Sequence, residues 1–198
     1  MGRVNLGVVG VVGLALLPAL GAGQEAAKAS PGAAPASEVV VTTDAGAFVI
    51  RLRPDLAPLH VRHFLKTAKA GGYDHTTFHR IIAGGIIQGG DPLSKDPAKS
   101  RLYGTGGLGL LKAEFSQADF VRGTVAAARK PSSVDSGGSQ FFVCLQAQPS
   151  LKGQYTVFGE VVSGLDVADA IGQTPVSGDR PTQRVEIKSV VPRPAPGS

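Results

Sequence analysis

The chain has one cysteine in 198 residues and no tryptophan. A single thiol cannot form an intramolecular disulfide, so the core itself must supply the stability of the folded part. Cys144 stands in the apolar run FFVCL, where it reads as a small buried hydrophobe, and no Cys or His lies at zinc-ligand spacing from it. The net charge is +5, yet no run of four or more Lys and Arg occurs, so the basic stripe of a nucleic-acid binder is missing. Also missing are the G-x-S-x-G elbow of a serine hydrolase and the H-E-x-x-H signature of a zinc protease. Without them His60 and His63, three apart in a helical stretch, read as solvated or capping histidines.

Hydrophobic residues make up 42% and charged residues 18%, a balance that can build one globular domain with tails. The start has Arg3, the apolar stretch VNLGVVGVVGLALLPAL and the small residues GAG, the pattern of a secretory signal over residues 1–23. A membrane anchor needs roughly 20 apolar residues and tolerates the glycines and Pro18 poorly, so no stable insertion is expected once the signal is cut. Export to the periplasm or the medium follows. Residues 24–37 are small, Pro-containing and aperiodic, a flexible linker, and residues 192–198 read as a disordered tail.

Between these ends, residues 38–191 form the folded domain. EVVVTTDAGAFVIRLR gives a hairpin in which Gly46 supplies positive φ. DLAPLHVRHFLKTAKAGGY gives a helix, with Asp55 as a cap, Pro58 in the first turn and Gly71 and Gly72 as the stop. A second helix spans SGLDVADAIG, starting from Ser163 and stopped by Gly172. About eight short strands and two helices favour a mainly β fold, a closed eight-stranded antiparallel barrel capped by two α-helices, with a sandwich as the alternative. The loop GTGGLG resembles a dinucleotide loop, but no strand feeds it and no helix opens from it.

In a regular strand, side chains two apart share a face, so Ile86 and Gln88 point together, as do Gln140 and Phe142. Arg80 shares its face with Phe78 and Ile82 unless a bulge at Gly84 and Gly85 re-aims the strand. A guanidinium on a partly apolar surface is costly unless its donors are satisfied, and Gln88 is the candidate to orient it. Taken alone, Arg80 reads equally well as an edge charge that deters sheet pairing.

Five motifs in order, FHRII, QGGD, GTGG, SQFFV and YTVFGEV, resemble the cyclophilin family of peptidyl-prolyl cis-trans isomerases over residues 38–191. The resemblance implies that Arg80 is the catalytic group and that Gln88 orients it. It implies that Ile86, Phe142 and Leu151 contribute to the proline pocket, with Tyr155 where many relatives have histidine. Gln140 and the backbone at Ala128 would hold the peptide, and His79 would line the same groove. The implied partners are proline-containing polypeptides, with no nucleic acid, no metal and no cofactor, and the implied state is a monomer. Two departures stand out. Gly85 replaces a bulky aromatic of the proline pocket, a loss of about 2 kcal/mol in substrate binding. Ser150 stands where drug-sensitive members carry tryptophan, so weak cyclosporin binding is expected. A proline-peptide-binding chaperone module with little turnover is the competing reading.

Overall fold

The structure, a computed structural model, describes residues 1–2 and 37–194. The expected signal peptide from residue 3 onward, the linker up to residue 36 and residues 195–198 lie outside the described residues. Eight strands close an antiparallel barrel: β1 (Ser37–Thr43), β2 (Gly46–Leu52), β3 (Thr76–Ile82), β4 (Ile86–Gly89), β5 (Thr124–Ala127), β6 (Phe141–Cys144), β7 (Val157–Ser163) and β10 (Glu186–Pro194). Their order around the barrel is β1-β10-β3-β4-β6-β5-β7-β2. Two further strands, β8 (Val176–Ser177) and β9 (Arg180–Pro181), make a small separate hairpin. The expected barrel is thus the observed one, with this hairpin added.

The interior holds Val39, Val41, Phe48, Ile50, Ile87, Phe141 and Val143. Helix α1 (Pro58–Lys69) covers the barrel with Phe64, whose ring lies 4.8 to 5.6 Å from those of Tyr73, Phe141 and Phe158. A second apolar cluster forms on the outer face of β4, β5 and β6, from Phe142, Cys144, Ala126 and Ala128 with Phe120 and Val157. Both faces of β5 and β6 are therefore buried, which is why FFVCL is a continuous apolar run rather than an alternating one. Cys144 has no exposed surface, and burial pushes its thiol up to about 12.

Several expectations about element ends need correction. Asp55 does not cap α1; it forms a two-point pair with Arg53 instead, at 2.9 and 2.7 Å. The cap comes from far along the chain: Glu114 accepts from the amides of Leu59 and His60 at 3.0 and 2.9 Å, and its Oε2 also lies 2.6 Å from His60 Nδ1. His60 is accordingly buried, not solvated. Ser163 ends β7, and α2 (Leu165–Gly172) starts from Gly164 at φ +77°, where a Cβ would come 2.5 Å from the Ala47 carbonyl oxygen.

The tail also starts later than residue 192. Pro192, Arg193 and Pro194 extend β10 opposite Val39, Glu38 and Ser37, so Ser37 belongs to the barrel and not to the linker. Strand β3 pairs only with Glu186 and Ile187, so β10 beyond them has a free edge that tolerates proline. Arg193 and Arg51 both donate to the buried carboxylate of Glu38. Burial alone would raise the Glu38 pKa, but the hydrogen bonds from Arg193 and Arg51 outweigh it and hold the group below its usual range.

Candidate active site

Beside the outer apolar cluster lies a groove of about 580 Å³. Arg80 reaches it because β3 carries a bulge: Phe78 pairs with Gly89 but Arg80 pairs with Gln88, so one residue of β3 has no counterpart on β4. Phe78 and Ile81 both point into the core, three apart instead of two. Arg80 therefore does not share the face of Phe78, and the irregularity sits at His79 rather than at Gly84 and Gly85, which form the turn into β4. With strict alternation from Phe78 through His79 the guanidinium would point into the barrel, where an unpaired charge costs many kcal/mol.

The guanidinium is half-exposed and held at two points. Arg80 Nε donates to Asp179 Oδ2 at 2.8 Å, and Nη1 donates to Gln88 Oε1 at 3.3 Å. Gln88 Nε2 donates in turn to Gln140 Oε1 at 3.0 Å, and Gln140 Nε2 donates to the Gly106 carbonyl at 2.7 Å. The direction of this chain follows from its last member. A carbonyl only accepts, so Gln140 must turn its NH₂ toward it, and each amide oxygen then faces the next donor, ending at Arg80. Gly106 is itself placed by Asp91, a fully buried carboxylate that accepts from the amides of Leu93, Gly104 and Gly106. Two of the GTGGLG loop amides are thereby engaged on Asp91 and cannot cradle a phosphate.

Of the residues singled out from the sequence, Arg80, His79, Ile86, Gln88, Ala128, Phe142, Leu151 and Tyr155 all line the groove. Gln140 lies fully buried one step behind it, with both ends of its amide engaged. The apolar end is built by Ile86, Leu151 and Phe142, whose ring meets that of Tyr155 edge-on at 5.4 Å. Arg129 stacks over Tyr155 at 4.7 Å and closes this end. The Ala128 amide donates to the Gln140 carbonyl, so its own carbonyl is what it can offer a peptide. His79 is buried, burial keeps it neutral by lowering its pKa, and neither ring nitrogen has a partner. At Gly85 the space is taken: a Cβ there would meet Ile82 Cγ2 at 2.9 Å, so Ile82 fills part of the place left by the missing aromatic.

Sequence reading missed Asp179, Arg180, Tyr103 and Arg129, all of which line the groove. Asp179 and Arg180 belong to the β8–β9 hairpin, which the Ile81 amide ties to β3 by donating to the Asp179 carbonyl at 2.8 Å. The Arg80 hydrogen bond holds the Asp179 carboxyl below its usual range. Among the described residues no three His, Cys, Asp or Glu side chains gather as a metal site.

A closed eight-stranded barrel whose outer groove sets one guanidinium beside an apolar slot is the architecture of a prolyl isomerase. The family model for cyclophilin type peptidyl-prolyl cis-trans isomerases matches residues 38–191, and the chain belongs to that family. A probable peptidyl-prolyl cis-trans isomerase of Brucella suis is 42% identical over 157 residues, 77% of this chain and 78% of the relative. One from Arabidopsis thaliana is 32% identical over 151 residues, covering 76% and 90%. A solved structure is also similar, that of a Cryptosporidium parvum cyclophilin type isomerase in the presence of the dipeptide Ala-Pro. It has a TM-score of 0.70 and 28% identity, and the match covers 78% of this chain and 97% of that one. The activity is peptidyl-prolyl cis-trans isomerisation.

Proposed function

We propose that the chain turns X-Pro bonds in exported polypeptides with Arg80 as the catalytic group. The X-Pro amide resists rotation because its nitrogen lone pair is shared with the carbonyl, giving a barrier of about 18 to 20 kcal/mol. When the amide twists, the lone pair localises on nitrogen and becomes a hydrogen-bond acceptor. A donor aimed there binds the twisted state better than either planar one and lowers the barrier. Arg80 has such a donor, because Nε and Nη1 are engaged and Nη2 has no protein partner among the described residues. A charge-assisted hydrogen bond contributes about 1.5 to 3 kcal/mol, or roughly one to two orders of magnitude in rate.

The observation that carries this reading is the two-point hold on the guanidinium beside the apolar slot of Ile86, Phe142, Leu151 and Tyr155. The slot takes the proline ring, and the Ala128 carbonyl and the Gln88 side chain flank the peptide. The test is proline-limited refolding of a reporter protein with wild type and with Arg80→Ala. Acceleration by the wild type that drops at least tenfold in Arg80→Ala supports the reading. Equal rates would leave a peptide clamp in which Arg80 does no catalysis. Export rests on the pattern of residues 1–23, and N-terminal sequencing of protein recovered outside the cytoplasm tests it. A mature start near Gln24 is the expected result.

A further inference from the structure

Next to the groove lies a second cavity, of about 240 Å³, that the isomerase chemistry does not use. One wall is the segment that carries Pro97 and Tyr103, and the other is Pro181 of the β8–β9 hairpin with Val185. His79, Tyr103 and Arg180 line both spaces, so the two abut across a single layer of side chains. Its lining is uncharged apart from two arginines at the rim. Arg184 there is fully engaged by Glu186 and by the carbonyls of Ser94 and His75. Arg180 is tethered through Nη1 to the Ser100 carbonyl at 3.1 Å. The polar atoms in the floor, Thr77 Oγ1 and both His79 ring nitrogens, are shielded from water and have no partner. Water in such a space gains few hydrogen bonds, and its displacement by an apolar group is favourable.

We propose that this cavity is a second subsite of the peptide groove, which takes a bulky apolar side chain of the same polypeptide that presents its proline to Arg80. The occupant follows from continuity: a chain that lies in the groove and leaves it on the Arg80 side passes the wall formed by His79, Tyr103 and Arg180. An extended peptide advances about 3.3 Å per residue, which brings a side chain a few residues from the proline over the cavity mouth. The neutral state of His79 agrees with an apolar guest. The subsite gives the segment 97–103 and the hairpin 176–181 a common role, since each supplies one wall. It rests on the reading of the groove as the peptide site.

Binding, not turnover, is the readout. Fluorescently labelled peptides with a single proline carry either alanine or phenylalanine at each position near it in turn, and their Kd is measured by anisotropy. At one position phenylalanine binds about tenfold tighter than alanine, as expected for burial of one aromatic side chain less its ordering cost. Two variants fill the cavity from opposite walls, Ser100→Phe and Thr182→Phe, and in both the phenylalanine-to-alanine ratio falls to about one. Taking the ratio within each protein cancels any general loss of binding. A ratio near one in the wild type at every position overturns the subsite, as does a preference that survives in both filled variants. Failure of the isomerase reading looks different: Arg80→Ala then leaves exchange of the alanine peptide unaltered, while the phenylalanine preference and its loss on filling remain.

Discussion

Asp179 offers the sharpest test of how the guanidinium is held. Its pair with Arg80 is exposed on both sides, 41% for the arginine and 49% for the aspartate, so it should contribute only about 0.2 to 1 kcal/mol to stability. Its effect on catalysis should be larger than on folding. With Nε released in Asp179→Ala, Arg80 is anchored only by the 3.3 Å bond to Gln88 and regains rotamer freedom. Re-immobilising such a side chain costs about 0.5 to 1.5 kcal/mol, and the cost now falls on the twisted state. That predicts a two- to tenfold drop in kcat, with KM nearly unchanged. Asp179→Asn keeps an oxygen that can accept from Nε and should recover much of the loss. Two-dimensional NMR exchange on an Ala-Pro peptide measures the rate, and thermal unfolding shows whether the fold is intact. In an Arg80→Ala background, Asp179→Ala should cost nothing further. Removing the carboxylate also removes a charge that partly neutralises Arg80. A faster Asp179→Ala enzyme, or an equal loss without Arg80, would therefore refute the positioning argument.

Other consequences concern the tail, the distant cap and the drug site. Glu38 has a lowered pKa in the folded protein, so its contribution to stability is present above its ordinary value of 4.5 and is lost as pH falls through the folded value. Arg193→Ala should cost about 1 to 2 kcal/mol and move the acid unfolding midpoint to higher pH, read by circular dichroism; an unchanged midpoint counts against the Glu38 pair. Glu114→Ala removes both acceptors from the first turn of α1 and the partner of His60, and should destabilise by about 1 to 3 kcal/mol in urea titration. Cyclosporin should bind weakly, because the chain has no tryptophan and Ser150 occupies the exposed turn before Leu151. A nanomolar Kd by calorimetry contradicts this.

Much of the barrel could be read from local pattern because the strands that form it state their burial directly. β1 alternates between buried and half-buried from Val39 to Thr43, where one face is covered, and β6 runs apolar where both are. The groove residues of β4 and β6 were legible for the same reason: Ile86 and Gln88, like Phe142, obey the two-residue period without interruption. What stayed hidden depends on contacts between distant segments. Glu114 caps a helix that begins 56 positions earlier, and Asp179 meets Arg80 across 99. No local propensity marks either carboxylate, since Glu114 sits in an irregular segment and Asp179 in the β8–β9 turn, where an acidic residue is unremarked. The proline-rich end misled for a related reason: Pro192 and Pro194 break a central strand but not a free edge, and only the pairing shows which β10 is.

The bulge at His79 joins these cases into one argument. Strict alternation from Phe78 puts Arg80 in the core, which no isolated guanidinium survives, so the sequence contains a conflict that some irregularity must resolve. Two glycines at 84 and 85 look like the place for it, yet a kink there comes after Arg80 and cannot change the direction in which Arg80 points. Only an extra residue between Phe78 and Arg80 can do so, and His79 is that residue. Its imidazole, turned out of the ladder and left without partners, then becomes the partition between the groove and the second cavity. The same extra residue therefore aims the guanidinium and builds the wall beside it. Deleting His79 should restore the two-residue period with Phe78 and Ile81 inward and Arg80 still facing out, while the wall between the groove and the second cavity is lost; circular dichroism showing an intact fold is the expected result.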